Sequence, residues 1–200
     1  MTQLTKRAIL ISLVLGIVLF VLSYQLGKEN AFLLLNNDLG TIADHFFRYW
    51  THTADGAVWV PITLLIIFFK RDQFLLVLSS IVFSTLFSQL SKNIFFKGSP
   101  RPSLAISDHS LFHSVNGVEL HSLNSFPSGH TTTAFTIFLL ATVLIPRKWI
   151  LPVGLCYAIL AGYSRIYLAQ HFPIDVAGGI IAAILTICIS IFVQNKWAKN

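Results

Sequence analysis

The sequence predicts an all-α integral membrane bundle: six transmembrane helices, with an amphipathic interfacial segment between the first two. Two observations carry this expectation. Of the 200 residues, 54% are apolar and only 11% charged, against about 25% charged in a typical soluble domain, and the mean hydropathy is +0.72. The apolar residues also gather into runs near the length a membrane demands, since about 20 residues rising about 1.5 Å each cross about 30 Å of hydrocarbon. Alternation of strand period is missing from these runs, which argues against a β-barrel. No low-complexity or Pro/Gly/Ser-rich linker divides the chain, so residues 1–200 read as a single membrane domain.

The first run, 8–26, follows Lys6 and Arg7 as a signal peptide would. It exceeds the usual signal core of about 7–15 residues and no small-x-small cleavage site follows Tyr24, so it reads as a retained helix. Residues 28–55 mix Phe32, Leu33, Leu34, Leu35, Phe46, Phe47 and Trp50 with polar residues, the pattern of a segment lying along the interface. The second span, 56–69, is short and holds Pro61 in its first turns, where proline is tolerated. Spans at 73–91, 129–145, 149–168 and 174–194 follow. Cys156 and Cys188 both fall inside these runs, where free cysteine acts as a small hydrophobe rather than as part of a disulfide framework.

Six spans place both termini on one side. That side carries Lys6, Arg7, Lys70, Arg71, Arg147, Lys148, Lys196 and Lys199 against the single acid Asp72, whereas the other side nearly balances its charges. The positive-inside rule then makes the termini cytoplasmic and turns the other face outward, which is periplasmic for a bacterial inner membrane. The formal net charge of +6 does not point to nucleic acid, because the basic residues sit at the ends of apolar runs instead of forming a stripe.

Three polar clusters stand at the outward ends of spans three to six, so that 92–130 and 164–175 form one face: KNIFFKGSPRP (Lys92 to Pro102), SFPSGH (Ser125 to His130) and SRIYLAQHFPID (Ser164 to Asp175). In the second cluster Pro127 suits a helix start, and Ser128, Gly129 and His130 occupy a first turn whose N–H groups lack partners. Such a turn favours anions, and Gly129 lets an oxygen approach the backbone. In the third, Pro173 again marks a helix start. His171 is left just outside it and Asp175 falls in the first turn, from which a carboxylate fixes an imidazole tautomer and frees the other nitrogen to attack. Arg101 and Arg165 offer bidentate forks for phosphoryl oxygens, and Lys92 and Lys97 offer point charges. Nucleophile, orienter, proton donor and charge clamp are together what phosphoryl transfer needs.

These residues resemble the type 2 phosphatidic acid phosphatase family, which also includes vanadium haloperoxidases and whose pattern is Lys-x6-Arg-Pro, Pro-Ser-Gly-His and Ser-Arg-x5-His-x3-Asp. Pro127 to His130 match the second part, and Ser164, Arg165, His171 and Asp175 match the third. The first part departs: Arg101 and Pro102 are present, but the lysine position holds Ile94 and Lys92 stands two residues too far away. A two-residue insertion around Gly98 and Ser99 would make Lys92 the phosphate ligand, with Lys97 as the alternative.

The resemblance implies that His171 attacks phosphorus to form a phosphohistidine, that Asp175 orients it, and that His130 protonates the leaving oxygen. Lys92, Arg101, Ser128, Gly129 and Arg165 would hold the phosphoryl oxygens, with Pro127 and Ser164 beside them. It implies no cofactor and no metal; His109, His113 and His121 lack a zinc-like spacing and are expected to line the outer loop. The expected substrate is a lipid phosphomonoester or diphosphate drawn from the bilayer: undecaprenyl diphosphate, phosphatidylglycerophosphate or phosphatidate, with lipid A phosphate as the alternative. No obligate protein partner is inferred. A transporter would place charges near span midpoints, and the charges here cluster at the ends; a non-catalytic lipid-binding homologue would not need complete second and third motifs.

Overall fold

The computed structural model describes residues 1–197 and is all-helical among them. Lys199, which entered the charge count above, lies outside the described residues. Among the described residues nine α-helices run in chain order: α1 Gln3–Leu26, α2 Lys28–Leu35, α3 Thr41–Trp50, α4 Trp59–Phe69, α5 Phe74–Leu90, α6 Pro102–Ala105, α7 Gly129–Leu144, α8 Ile150–Tyr167 and α9 Pro173–Trp197. Two 3-10 turns, Thr51–Ala54 and Gly56–Val58, link α3 to α4, and a π turn, Ser91–Phe95, continues α5.

Four helical stretches among the described residues are long and apolar enough to cross a membrane: Gln3–Leu26, Arg71–Phe95, Ile150–Tyr167 and Pro173–Trp197. A fifth arises if the pair flanking Asp55, bent by 55°, is counted as one span. The fourth run predicted from sequence, 129–145, forms the helix Gly129–Leu144, which is apolar but has 16 residues. The predicted interfacial segment divides into α2, α3 and the first 3-10 turn.

Helix α9 is the axis of the bundle, packed by α1, α5 and α7. The contact faces are built from small residues. On α1 the buried positions are Thr5, Ala8, Ser12, Gly16 and Ser23, while Val14, Ile17, Val18 and Phe20 are exposed. On α5, Ser80, Ser84 and Ser88 recur every four residues and are buried. This inverts the pattern of a soluble helix, because lipid solvates large apolar side chains and close backbone approach needs small ones. Several buried hydroxyls bond within their own helix, as Ser80 Oγ donates to the Leu76 carbonyl at 2.8 Å, whereas Thr5 Oγ1 donates across to the Thr142 carbonyl of α7 and Ser12 Oγ has no partner. At the junction of α7 and α9 a Cβ added to Gly179 would stand 2.7 Å from the Ser128 carbonyl oxygen, so only glycine permits this approach.

Candidate active site

The path from α8 to α9 sets the spacing between Arg165 and His171. Helix α8 ends in a Schellman turn: Gln170 N–H donates to the Arg165 carbonyl at 2.9 Å, Ala169 N–H donates to that of Ile166 at 3.0 Å, and Ala169 takes the left-handed conformation at φ 52°. His171 N–H also donates to the Arg165 carbonyl, at 3.0 Å. Pro173 opens α9, and Asp175 reaches back so that its Oδ2 accepts from Phe172 N–H at 2.8 Å, one half of a capping box.

His171 is 1% exposed, and its Nδ1 lies 3.4 Å from Asp175 Oδ2 with no hydrogen-bond partner. That oxygen is engaged by Ser125 Oγ, which donates to it at 2.5 Å, as well as by Phe172 N–H. Burial pushes the His171 imidazole well below the ordinary histidine range, and the positive charges of Arg101, Arg165, Lys92 and His130 push it further. The ring is therefore neutral, with a lone pair available to attack.

Around it stand cations without counter-ions. Arg101 is 8% and Arg165 7% exposed. Arg101 donates through Nε to the Leu123 carbonyl at 2.9 Å and through Nη1 to Gln170. Arg165 donates through Nη1 to Thr51 Oγ1 at 2.5 Å, while its Nε is buried without a partner. Lys92 Nζ lies 3.9 Å from where a Cβ on Gly129 would stand, over the start of α7. Among the described residues every ion pair is histidine with aspartate, and none includes Lys92, Arg101 or Arg165. Burial of an unpaired charge costs several kcal/mol, so this arrangement is suited to an anionic ligand.

At the start of α7, Ser128 is fully buried and caps the helix, accepting from Thr131 Oγ1 at 2.9 Å. Its own N–H donates to the Asp175 carbonyl at 2.9 Å. Ser128 thus joins the two helix starts, and Gly129 and His130 supply the first-turn N–H donors. Pro127 precedes this cap and lines a neighbouring cavity. Ser164 donates to the Ala161 carbonyl of its own helix at 2.7 Å. Lys97 is exposed. The π turn, in which Phe96 N–H donates to the Ser91 carbonyl, takes up extra chain between Lys92 and Arg101.

His130 faces a polar cavity of about 360 Å³ lined by Arg48, His52, His121, Arg165 and Gln170 among others. Its Nε2 lies 2.6 Å from Oδ1 of Asp55. A larger apolar cavity of about 680 Å³ runs between α1, α5 and α9, lined by Phe20, Phe87, Phe126, Phe172 and Leu185, and it reaches Ser125 and Asp175. His113 lies apart from the site: its Nε2–H donates to Asp44 Oδ1 at 2.8 Å, the Tyr167 hydroxyl donates to the same oxygen at 2.6 Å, and with Asp38 this group ties the outer loop to α3 and α8. His109 bonds the Ser103 carbonyl, whereas His121 lines the polar cavity.

Sequence reasoning assigned no role to Thr51, Asp55, Ser125 or Gln170. Ser125 stood within a recognised cluster. Asp55 carried a weaker signal, an acid at the outward end of a span.

The sequence matches the family model described as the PAP2 superfamily over residues 73–199. It is 30% identical over 132 residues to the undecaprenyl-diphosphatase of Sulfolobus acidocaldarius, covering 61% of this chain and 56%, about half, of that relative's length. The crystal structure of Aquifex aeolicus LpxE is similar at a TM-score of 0.69 and 31% identity, covering 80% of this chain and 92% of the other. The fold also matches a phosphatidylglycerolphosphate phosphatase from Bacillus subtilis, at a TM-score of 0.67 and 21% identity over 98% of both chains.

Proposed function

This chain belongs to the PAP2 superfamily, and from that premise we propose that it is a membrane lipid phosphatase hydrolysing a phosphomonoester or diphosphate through a phosphohistidine. The observation that supports this reading is the set of three cations, Lys92, Arg101 and Arg165, gathered around a buried neutral histidine, with no carboxylate paired to them among the described residues.

In the first half-reaction His171 Nε2 attacks phosphorus as the bond from phosphorus to the lipid oxygen breaks, and His130 gives that oxygen a proton. Asp175, 3.4 Å from Nδ1, stabilises the charge the ring acquires. The three cations and the N–H groups of Gly129 and His130 hold the phosphoryl oxygens. In the second half-reaction water attacks phosphorus, His130 takes a proton from it, and the phosphorus–nitrogen bond breaks to release phosphate and restore His171.

The apolar cavity ending at Asp175 suits the hydrocarbon chain of the substrate. Among lipid phosphates, undecaprenyl diphosphate is the substrate we favour, on the similarity to a protein of that activity. The topology we propose has six crossings of the inner membrane, with α4 and α7 completing the set and both termini cytoplasmic. A cysteine placed at Gly117 should then react with an impermeant thiol reagent from outside; labelling from the cytoplasm only would reverse the orientation.

The test of activity is phosphate release from purified lipid phosphates in detergent, native against His171→Ala and His130→Ala. Each change should cost at least about 10²-fold, the scale of a lost nucleophile or general acid. Losses under about tenfold for both would overturn the mechanism.

A further inference from the structure

We infer that Asp55 is a positioning residue for His130, holding its ring so that Nδ1 alone faces the leaving oxygen. This rests on the reading of His130 as the proton donor and extends the site to a segment outside the residues 73–199 that carry the family match.

The geometry is a carboxylate shared between two rings. Asp55 Oδ1 lies 2.6 Å from His130 Nε2, and Asp55 Oδ2 lies 2.7 Å from His52 Nδ1. The backbone beneath it is fixed from both sides: Asp55 N–H donates to the His52 carbonyl at 3.2 Å, and Val58 N–H donates to the Asp55 carbonyl at 3.1 Å. The same turn is pinned to α8, because Arg165 donates to Thr51 Oγ1 and the Tyr157 hydroxyl donates to the Thr53 carbonyl at 2.8 Å. Asp55 is thus anchored through α8 as well as through its own chain, and one of the anchors is Arg165, assigned above to the phosphoryl group.

An acid catalyst of this kind must carry protons on both ring nitrogens. With Nε2–H directed to Asp55, the proton that leaves is the one on Nδ1, and the neutral ring that remains keeps Nε2–H with a lone pair on Nδ1. That tautomer can accept a proton from the attacking water in the second half-reaction without rotating. The carboxylate also stabilises the imidazolium before transfer, as a buried carboxylate does for the base in a catalytic triad. The site therefore holds two histidine–carboxylate pairs, one for the nucleophile and one for the acid, contributed by distant parts of the chain.

The experiment exploits the leaving group. Values of kcat/KM, which report steps only through phosphohistidine formation when that step is irreversible, are measured for native protein, Asp55→Asn, His130→Ala and the double variant. The substrates are a short-chain alkyl phosphate lipid, whose alkoxide needs a proton, and p-nitrophenyl phosphate, whose phenolate does not. Asp55→Asn should lower kcat/KM by about tenfold or more on the alkyl ester but by less than about threefold on the aryl ester. In the His130→Ala background it should have no further effect on the alkyl ester. Equal losses on both substrates, or an undiminished Asp55→Asn loss when His130 is absent, would reduce Asp55 to a structural role. If His130→Ala itself showed no leaving-group dependence, the assignment of His130 as the acid would fail first, and the two failures are distinguishable. Should Asp55→Asn not fold, Asp55→Glu with the same substrate pair keeps the carboxylate but displaces it; a leaving-group-independent response would overturn the inference.

Discussion

The backbone N–H of Ser128 donates to the carbonyl of Asp175 at 2.9 Å, which ties the starts of α7 and α9 directly. His130 follows Ser128 by two residues and His171 precedes Asp175 by four, so this bond joins the two backbone segments that carry the histidines.

Gly179 lies beneath that bond, and a Cβ there would meet the Ser128 carbonyl oxygen at 2.7 Å and Thr131 Cβ at 2.8 Å. Gly179→Ala should destabilise the protein by about 1–3 kcal/mol, the usual cost of overpacking, and lower kcat/KM by moving α7 from α9. Thermal unfolding in detergent together with phosphate release measures both. An alanine variant with native melting and native activity would show that the two helices are not held at this distance.

Lys92 lies over Gly129 and Lys97 is exposed, so the two lysines should separate in a simple comparison. Lys92→Ala is expected to lower kcat/KM by about 10²-fold, as loss of one charged transition-state contact does. Lys97→Ala should stay within about twofold, consistent with an exposed side chain distant from the reaction. The reverse order would return the first-motif role to Lys97.

The buried cations predict a response to inorganic phosphate. Phosphate at about 100 times its Kd should stabilise the native protein by about 2.7 kcal/mol, seen as a rise in melting temperature. Arg165→Met should abolish the rise and also melt higher than native protein without phosphate, because an uncompensated buried charge is removed. If Arg165→Met melted lower in phosphate-free detergent, Arg165 would be chiefly a structural tie to Thr51.

The pH dependence of stability has a definite sign. Burial and the neighbouring cations hold His171 well below the ordinary histidine range, whereas in the unfolded chain it takes up a proton below about pH 6.5. The unfolded state binds more protons there, so stability falls as pH drops through about 6.5 and rises with pH above the folded value. Melting temperatures between pH 5 and 8 should show this slope, reduced in His171→Gln. An identical slope in the variant would assign the effect to other groups.

Part of the candidate site is legible in sequence because it is local. The spacing from Arg165 through His171 to Asp175 is written by one Schellman turn and one helix start, both of which follow from short-range hydrogen bonding. Composition likewise identified the apolar helices. The stretched interval from Lys92 to Arg101 was read as an insertion around Gly98 and Ser99, and the structure adds a π turn at Ser91–Phe95. Ser128, which the motif marks as a phosphate ligand, also caps α7, its Oγ accepting from the Thr131 hydroxyl.

The sequence by itself determined the membrane character, most of the long apolar helices and the order of the chemical groups, because those depend on local pattern and on the length of each apolar run. Only the tertiary structure decided the partners: Asp55 with His130, Thr51 with Arg165, Ser125 with Asp175, and Lys92 over Gly129. These pairs join segments that are distant in the chain. They depend on how each helix turns about its axis when small-residue faces such as Ala8, Ser12 and Gly16 meet their neighbours, and no local window of sequence records that rotation.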